Sequence, residues 1–178
     1  MRSTSCSSPM SYTGLSEGSH TFQVKAIDAA GNSSTATRTW TVDTVAPSVS
    51  IDSGPSGAVS NTSASFTFSS NDQSATFQCS LDGATYASCS SPKSYTGVAD
   101  GSHTFQVRAT DAAGNTGTAA SYTWSIDSTA PSVTISASPS NPSNSSAPSF
   151  SFSSEAGATF QCSLDGAAFA TCTSPKSY

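Results

Sequence analysis

The chain has 178 residues, with 6 Lys or Arg, 11 Asp or Glu and a formal net charge of −5. Charged residues make up only 10% of it, against about 25% in ordinary globular domains, so its solubility rests on hydroxyl groups. The few Lys and Arg form no patch that could neutralise phosphates or seek an anionic membrane, and no stretch approaches the roughly 20 apolar residues of a membrane span, which argues against nucleic-acid and membrane partners.

An internal repeat organises the chain. Cys6, Cys89 and Cys172 follow one another at intervals of 83 residues, as do Cys79 and Cys162, while Trp40 to Trp124 and Pro47 to Pro131 are 84 apart. That period is too long for a solenoid or propeller unit and suits one small β-sandwich per repeat. Three segments follow: 1–43, the C-terminal half of a repeat; 47–127, a complete repeat; and 131–178, an N-terminal half. No apolar leader follows Met1-Arg2-Ser3-Thr4, so an export signal is expected to lie outside the chain.

The first segment, from Cys6 to Asn32, reads CSSPMSYTGLSEGSHTFQVKAIDAAGN, the second half of the complete repeat, and is expected to supply its last three strands. In the complete repeat nearly every segment alternates with period two between Gly, Pro, Asn or Asp punctuation. Strands are expected at Pro47 to Asp52, at Ser63 to Ser70 with Phe66 and Phe68 on one face, and at Thr76 to Leu81 with Phe77, Cys79 and Leu81 together. Asp82-Gly83 supplies the positive-φ turn of a hairpin whose return runs from Ala84 to Cys89. Ser94 to Val98 is a short strand. Ser102 to Asp111 sets His103, Phe105, Val107 and Ala109 on one face, with Thr104, Gln106, Arg108 and Thr110 on the other. Ala120 to Asp127 closes the repeat with Tyr122, Trp124 and Ile126 aligned. Seven strands in about 80 residues, with no helical period, predict an all-β antiparallel sandwich of two sheets. The last segment repeats FQCSLDG and should carry the first four strands. Prolines at the junctions VDTVAPSVSI and IDSTAPSVTI fix φ and limit bending, which suits an extended rod.

The combination of FxCSLDG, CxSP, GSHTFQVRATDAAGN, TW and the DxxAP junction resembles the tandem bacterial immunoglobulin-like repeats of large secreted and surface proteins. The GSHTFQVRA strand is also similar to the penultimate strand of fibronectin type III domains, with Phe105 where a tyrosine is expected. The resemblance implies immunoglobulin-like sandwich repeats, one complete and two partial, in an extracellular or cell-surface stalk or adhesin. Its partners would be neighbouring repeats of the parent chain, or a surface glycan or protein.

Cys79 and Cys89 flank the Asp82-Gly83 turn, and Cys162 and Cys172 flank Asp165-Gly166, so two hairpin disulfides are expected, in an oxidising compartment. The other reading is buried free thiols in a cytosolic protein. Cys6 has no partner, since the matching position would precede Met1. No CxxC spacing suggests zinc.

No cofactor is expected. The best metal candidates are Asp28 with Asn32 and Asp111 with Asn115 in the DAAGN turns, which offer calcium hard oxygen donors, but Asp and Asn also serve a turn by bonding its backbone. Asp43 and Asp127 at the junctions pose the same choice. Nucleophilic catalysis needs a base beside a serine, yet His20 and His103 share parity with Phe22 and Phe105, as packed or rim residues would. Paired carboxylates would have to come from turns that recur in every repeat. Trp40 and Trp124 could stack on a sugar, but they share parity with core residues. The triplets at Asn32, Asn61 and Asn144 fit glycosylation acceptors and also arise by chance in so Ser-rich a chain. The function expected is therefore a non-enzymatic stalk or spacer, with adhesion or glycan binding as the alternative. The two partial repeats are complementary, so either the C-terminal half of one chain completes the N-terminal half of the next, or both ends only mark where this stretch of sequence was taken.

Overall fold

The computed structural model describes residues 6–178; the Met1-Arg2-Ser3-Thr4 lead lies outside them. The chain divides into two compact units, Met1–Ile126 and Asp127–Tyr178. Among the described residues every regular element is a strand.

The first unit begins with an antiparallel hairpin of β1 (Gly18–Ile27) and β2 (Ser33–Val42), in which Phe22 faces Arg38 and His20 faces Trp40. It continues with β3 (Val49–Ser53), β4 (Ala58–Val59), β5 (Ala64–Ser70), β6 (Thr76–Leu81), β7 (Ala87–Cys89), β8 (Lys93–Tyr95), β9 (Gly101–Thr110) and β10 (Ala120–Ile126). These strands form two sheets, β4-β10-β9-β6-β7 and β3-β5-β8. Period-two alternation gives each sheet one apolar face, and the two faces meet.

The core lies between them. Phe66 and Phe105, from opposite sheets, are completely buried, and Trp124 and Ile126 nearly so. The Phe66 ring stacks on Phe105 at 4.2 Å and meets Trp124 edge-on at 5.0 Å, while Phe68 meets Phe77 at 5.1 Å. On the other face of β9 the polar side chains form a ladder: Arg108 donates to Gln78 Oε1 at 2.8 and 3.0 Å and lies over the Tyr86 ring, and Gln106 donates to Ser121. The Trp124 indole N–H is buried without a hydrogen-bond partner among the described residues.

Several boundaries differ from the sequence reading, each for a local reason. The strand β4, only two residues long and parallel to β10, adds an eighth to the expected seven; two residues leave no alternation to read. The return strand begins at Ala87 rather than Ala84, because Ala84 closes the turn with its N–H on the Leu81 carbonyl and its own carbonyl accepts from Ser80 Oγ. The expected third strand of the first segment does not form: residues 6–17 have no strand. In the sandwich its counterpart β8 pairs with β5, Ala64 opposite Tyr95, and the first segment contains nothing equivalent to β5.

The second unit has β11 (Thr134–Ala137), β12 (Ser149–Ser153), β13 (Phe160–Cys162), β14 (Ala170–Cys172) and β15 (Lys176–Ser177), one more than the four expected. Sheet β11-β12-β15 and hairpin β13-β14 reproduce the central pairings: Phe150 faces Lys176 as Phe66 faces Lys93, and Phe160 faces Cys172 as Phe77 faces Cys89. Aromatic contacts recur as well, Phe152 with Phe160 at 4.9 Å matching Phe68 with Phe77.

Replacing Phe66 with Ala should cost about 3–5 kcal/mol of unfolding free energy, because it empties the centre of the inter-sheet contact. Val45→Ala, in the same unit as both tryptophans and at a position 67% exposed, should stay within about 0.5 kcal/mol. Urea unfolding followed by tryptophan fluorescence compares the two; equal costs would contradict this packing.

Candidate functional site

The feature that recurs is a stapled hairpin; in the central sandwich a clamp also holds its turn, and the junction before that sandwich is pinned. Asp82 and Gly83 both have positive φ, 51° and 75°, as do Asp165 and Gly166 at 51° and 78°. Gly tolerates that conformation for want of a Cβ, and Asp is among the few side-chain-bearing residues that adopt it readily. In the β6–β7 register Cys79 faces Ala87 and Cys89 faces Phe77. The two cysteines are therefore diagonal neighbours on one face, with Cα atoms 5.8 Å apart and the sulfurs bonded. Cys162 and Cys172 are joined in the same way, also at 5.8 Å. Cys6 is a free, exposed thiol.

The Asp82 carboxylate crosses to β9. Its Oδ1 accepts the Thr104 N–H at 2.8 Å and its Oδ2 lies 2.8 Å from His103 Nδ1, while the Asp82 N–H donates to the Thr104 carbonyl at 2.9 Å. His103 Nε2 lies 2.8 Å from the Ala99 carbonyl, which can only accept, and the imidazole rests against Trp124 at 5.4 Å. Both ring nitrogens face acceptors, so the doubly protonated ring is favoured. The bond to Asp82, with the Ala99 bond second, raises the His103 pKa above its ordinary 6.5. Burial pushes Asp82 upward, but the bonds from His103 and the Thr104 amide outweigh it and leave Asp82 below its ordinary 3.8. Although an Asp–His pair invites comparison with a catalytic dyad, no nitrogen is left to take a proton from a serine. The pair acts as a clamp. Spacing alone did not reveal it, although Asp82 and His103 both sit in repeated motifs. In the first segment His20 keeps the equivalent bond, Nε2 to the Ser16 carbonyl at 2.7 Å, and the equivalent ring contact with Trp40.

The four calcium candidates serve their own turns. Asp111 Oδ1 accepts the Asn115 N–H at 2.8 Å and Oδ2 accepts its side-chain amide at 2.9 Å; Asp28 and Asn32 do the same at 2.8 and 2.9 Å, with the Ala30 N–H added. The bonds from the Asn32 and Asn115 side chains are the first cause that holds each carboxylate below its ordinary range. These Asn amides present N–H groups to the carboxylates, the reverse of what a cation needs, so the donor set does not fit calcium. Among the described residues no three His, Cys, Asp or Glu side chains gather as metal ligands do.

Asn115 has a second role. Its amide also donates to the Asp43 carbonyl at 3.0 Å, fastening the junction before β3 to the turn after β9. Glu17 accepts from the Thr44 N–H and hydroxyl, Asp43 Oδ1 accepts the Val45 N–H, and the Ser48 N–H donates to Asn71. Gly117 makes close approach possible: a Cβ there would fall 1.9 Å from the Pro47 carbonyl oxygen.

Residues 93–150 match the family model described as bacterial Ig-like domain (group 3). The matched span runs from β8 of the sandwich into β12, across the second junction. No curated protein matches the chain. The resemblance read from the sequence therefore stands, with the all-β immunoglobulin-like sandwich as the fold it implied, and it points to an extracellular structural or binding module. Two disulfides fit that location.

Two measurements follow from the clamp and the turns. His103 has a raised folded pKa, so its contribution is complete below pH 6.5 and is lost as pH rises through the folded value; Asp82 is lowered, so its contribution holds above pH 3.8 and is lost as pH falls through the folded value. The melting-temperature difference between the parent chain and His103→Gln should be largest between those limits and shrink on the alkaline side. A difference independent of pH would contradict the clamp. Millimolar calcium should leave the melting temperature unchanged, while Asp111→Ala should lower it with or without calcium; a calcium-dependent rise would restore the metal reading.

Proposed function

Proceeding from the family match, we propose that this chain is a non-enzymatic spacer segment of an extracellular or cell-surface protein, a complete repeat at 47–127 with partial repeats at 1–43 and 131–178, whose work is mechanical. The observation that carries this reading is the recurrence of one stapled hairpin in detail. Both repeats share the Asp-Gly φ angles, the diagonal disulfide, and a serine hydroxyl donated to the carbonyl two residues past the Asp, Ser80 to Ala84 and Ser163 to Ala167. Loops selected to bind different partners would be expected to diverge, whereas DGATYASC and DGAAFATC differ by small exchanges. That weighs against an adhesive or glycan-binding role for these turns.

Stiffness has two sources in this reading. The hydrogen bonds on Asp43, Thr44 and Ser48 leave the first junction little freedom. Each disulfide closes a loop of about ten residues, which by the chain-entropy model contributes slightly under 3 kcal/mol, a sizeable part of the 5–15 kcal/mol typical of a domain.

Single-molecule pulling on the whole chain tests the mechanical role. With the disulfide intact, the ten-residue separation of Cys79 and Cys89 stays locked at a Cα–Cα distance of 5.8 Å, so reduction should lengthen the unfolding step of the sandwich by about 27–30 Å, ten residues at about 3.3–3.6 Å each less the distance already spanned. The unfolding force should fall at the same time. Steps and forces that do not change on reduction would remove the staple from the load path.

A further inference from the structure

We infer that the wet face of the β10-β9-β6-β7 sheet is a binding surface for a carboxylated polysaccharide, with the Arg108 guanidinium as the partner of the sugar carboxylate. Arg108 is the one Lys, Arg, Asp or Glu in the strands of that sheet. Its Nε and Nη2 both donate to Gln78 Oε1, at 3.0 and 2.8 Å, and its guanidinium carbon lies 4.2 Å from the centre of the Tyr86 ring. These contacts hold the group in place before a ligand arrives, which lowers the ordering cost of binding. They also leave Nη1 and the second N–H of Nη2 unspent, the end-on fork that matches the two oxygens of a carboxylate. No carboxylate of the chain takes that fork, because His103 with Asp82 is the only ion pair among the described residues.

The groups around the fork are equally unspent. Gln78 gives its carbonyl to Arg108 and Gln106 gives its amide to Ser121, so Gln78 Nε2 and Gln106 Oε1 remain, and Tyr86 Oη makes no hydrogen bond among the described residues. None of these atoms is buried, since the Trp124 N–H is the only buried side-chain polar atom without a partner among the described residues. They face water, and the hydroxyls of a sugar can take the place of that water.

Two features select a sugar polymer over an acidic peptide. β9 lies between β10 and β6, and β6 between β9 and β7, so no peptide strand can add beside Arg108 as it would at an open edge. The neighbouring wet-face side chains, Thr104, Gln106, Thr110, Ser121 and Thr123, offer hydrogen bonds and no large apolar anchor for a peptide side chain. By repeat position Lys25 stands where Arg108 stands, Gln161 where Gln78 stands and Phe169 where Tyr86 stands. A cation, an amide and an aromatic ring thus return from repeat to repeat, and a polymer with carboxylates on successive sugars would meet such a series with avidity. Binding here goes beyond the mechanical role and is separable from it, because neither the disulfide nor the bonds at the junction use these side chains.

Nuclear magnetic resonance on the isotope-labelled whole chain tests the surface. Trigalacturonate should shift the Arg108 Nε–H and Gln78 side-chain amide signals saturably. The same trisaccharide with its carboxylates methyl-esterified should leave them in place, and hexaglutamate should bind more weakly. Arg108→Gln should weaken trigalacturonate binding at least about tenfold, as the loss of a hydrogen bond to a charged group does. The inference is overturned by any of four results: no saturable shift with trigalacturonate, an equal shift from the esterified sugar, hexaglutamate binding as tightly, or Arg108→Gln binding as the parent chain does. Signals of the buried Phe66 and Phe105 rings report whether the variant is folded; should it unfold, Arg108→Met, which keeps an apolar stem over Tyr86, replaces it and the same loss decides.

Discussion

The contact between the Phe66 and Phe105 rings, one from each sheet, is the constraint on which the molecule depends. A two-sheet sandwich is stable only if the apolar faces are brought together and water is expelled from between them. Here a single ring of β5 reaches the centre of the opposite sheet, with Trp124 closing one side and Phe68 the other. Among the described residues every fully buried large side chain belongs to this layer or lies two positions further along β9. Where the same residues occur without their facing sheet, in the β1–β2 hairpin and in the second unit, they remain half-buried or exposed. The same side chains thus have two fates, decided by whether the complementary strands are present.

Covalent and electrostatic ties are arranged around that layer. The disulfide runs along the core face of β6 and β7, so that Cys79 is itself part of the core. Asp82, at the outer end of the same hairpin, ties its turn to β9 through Thr104 and His103. The hairpin is therefore held at both ends, at the sulfurs by a covalent bond and at the turn by charge-assisted hydrogen bonds. Asn115 extends the scheme to the next element by holding the Asp43 carbonyl. Histidine, aspartate and asparagine, the residues that would first draw attention as chemistry, are all occupied with the connection of one strand to another.

Such an arrangement accounts for how a chain with so few charges and so many hydroxyl groups folds. Exposed strand faces are covered by short side chains that bond across the ladder, such as Ser53 with Thr67 and Thr110 with Thr116. Individually these bonds contribute little, because each replaces a bond to water. They leave the hydrophobic layer and the staples to supply stability, and leave the surface sparsely charged and similar from repeat to repeat.

Alternation in Ser102 to Asp111, the Asp-Gly turn and the 83-residue spacing of the cysteines were enough to establish strands, hairpins, the sandwich class and the resemblance to bacterial immunoglobulin-like repeats, since each is a property of residues close in sequence or of exact repetition. Tertiary structure alone decided the rest. The two-residue β4 depends on β10 lying beside it; the missing third strand of the first segment depends on the lack of a β5 to pair with; and the role of Asn115 depends on a carbonyl 72 positions away. His103 is the clearest case. Its parity with Phe105 placed it on the inner face, but only the folding of the hairpin onto β9 brings the Asp82 carboxylate to its ring, because a hydrogen bond is set by position in space and period two reports only the side of the sheet.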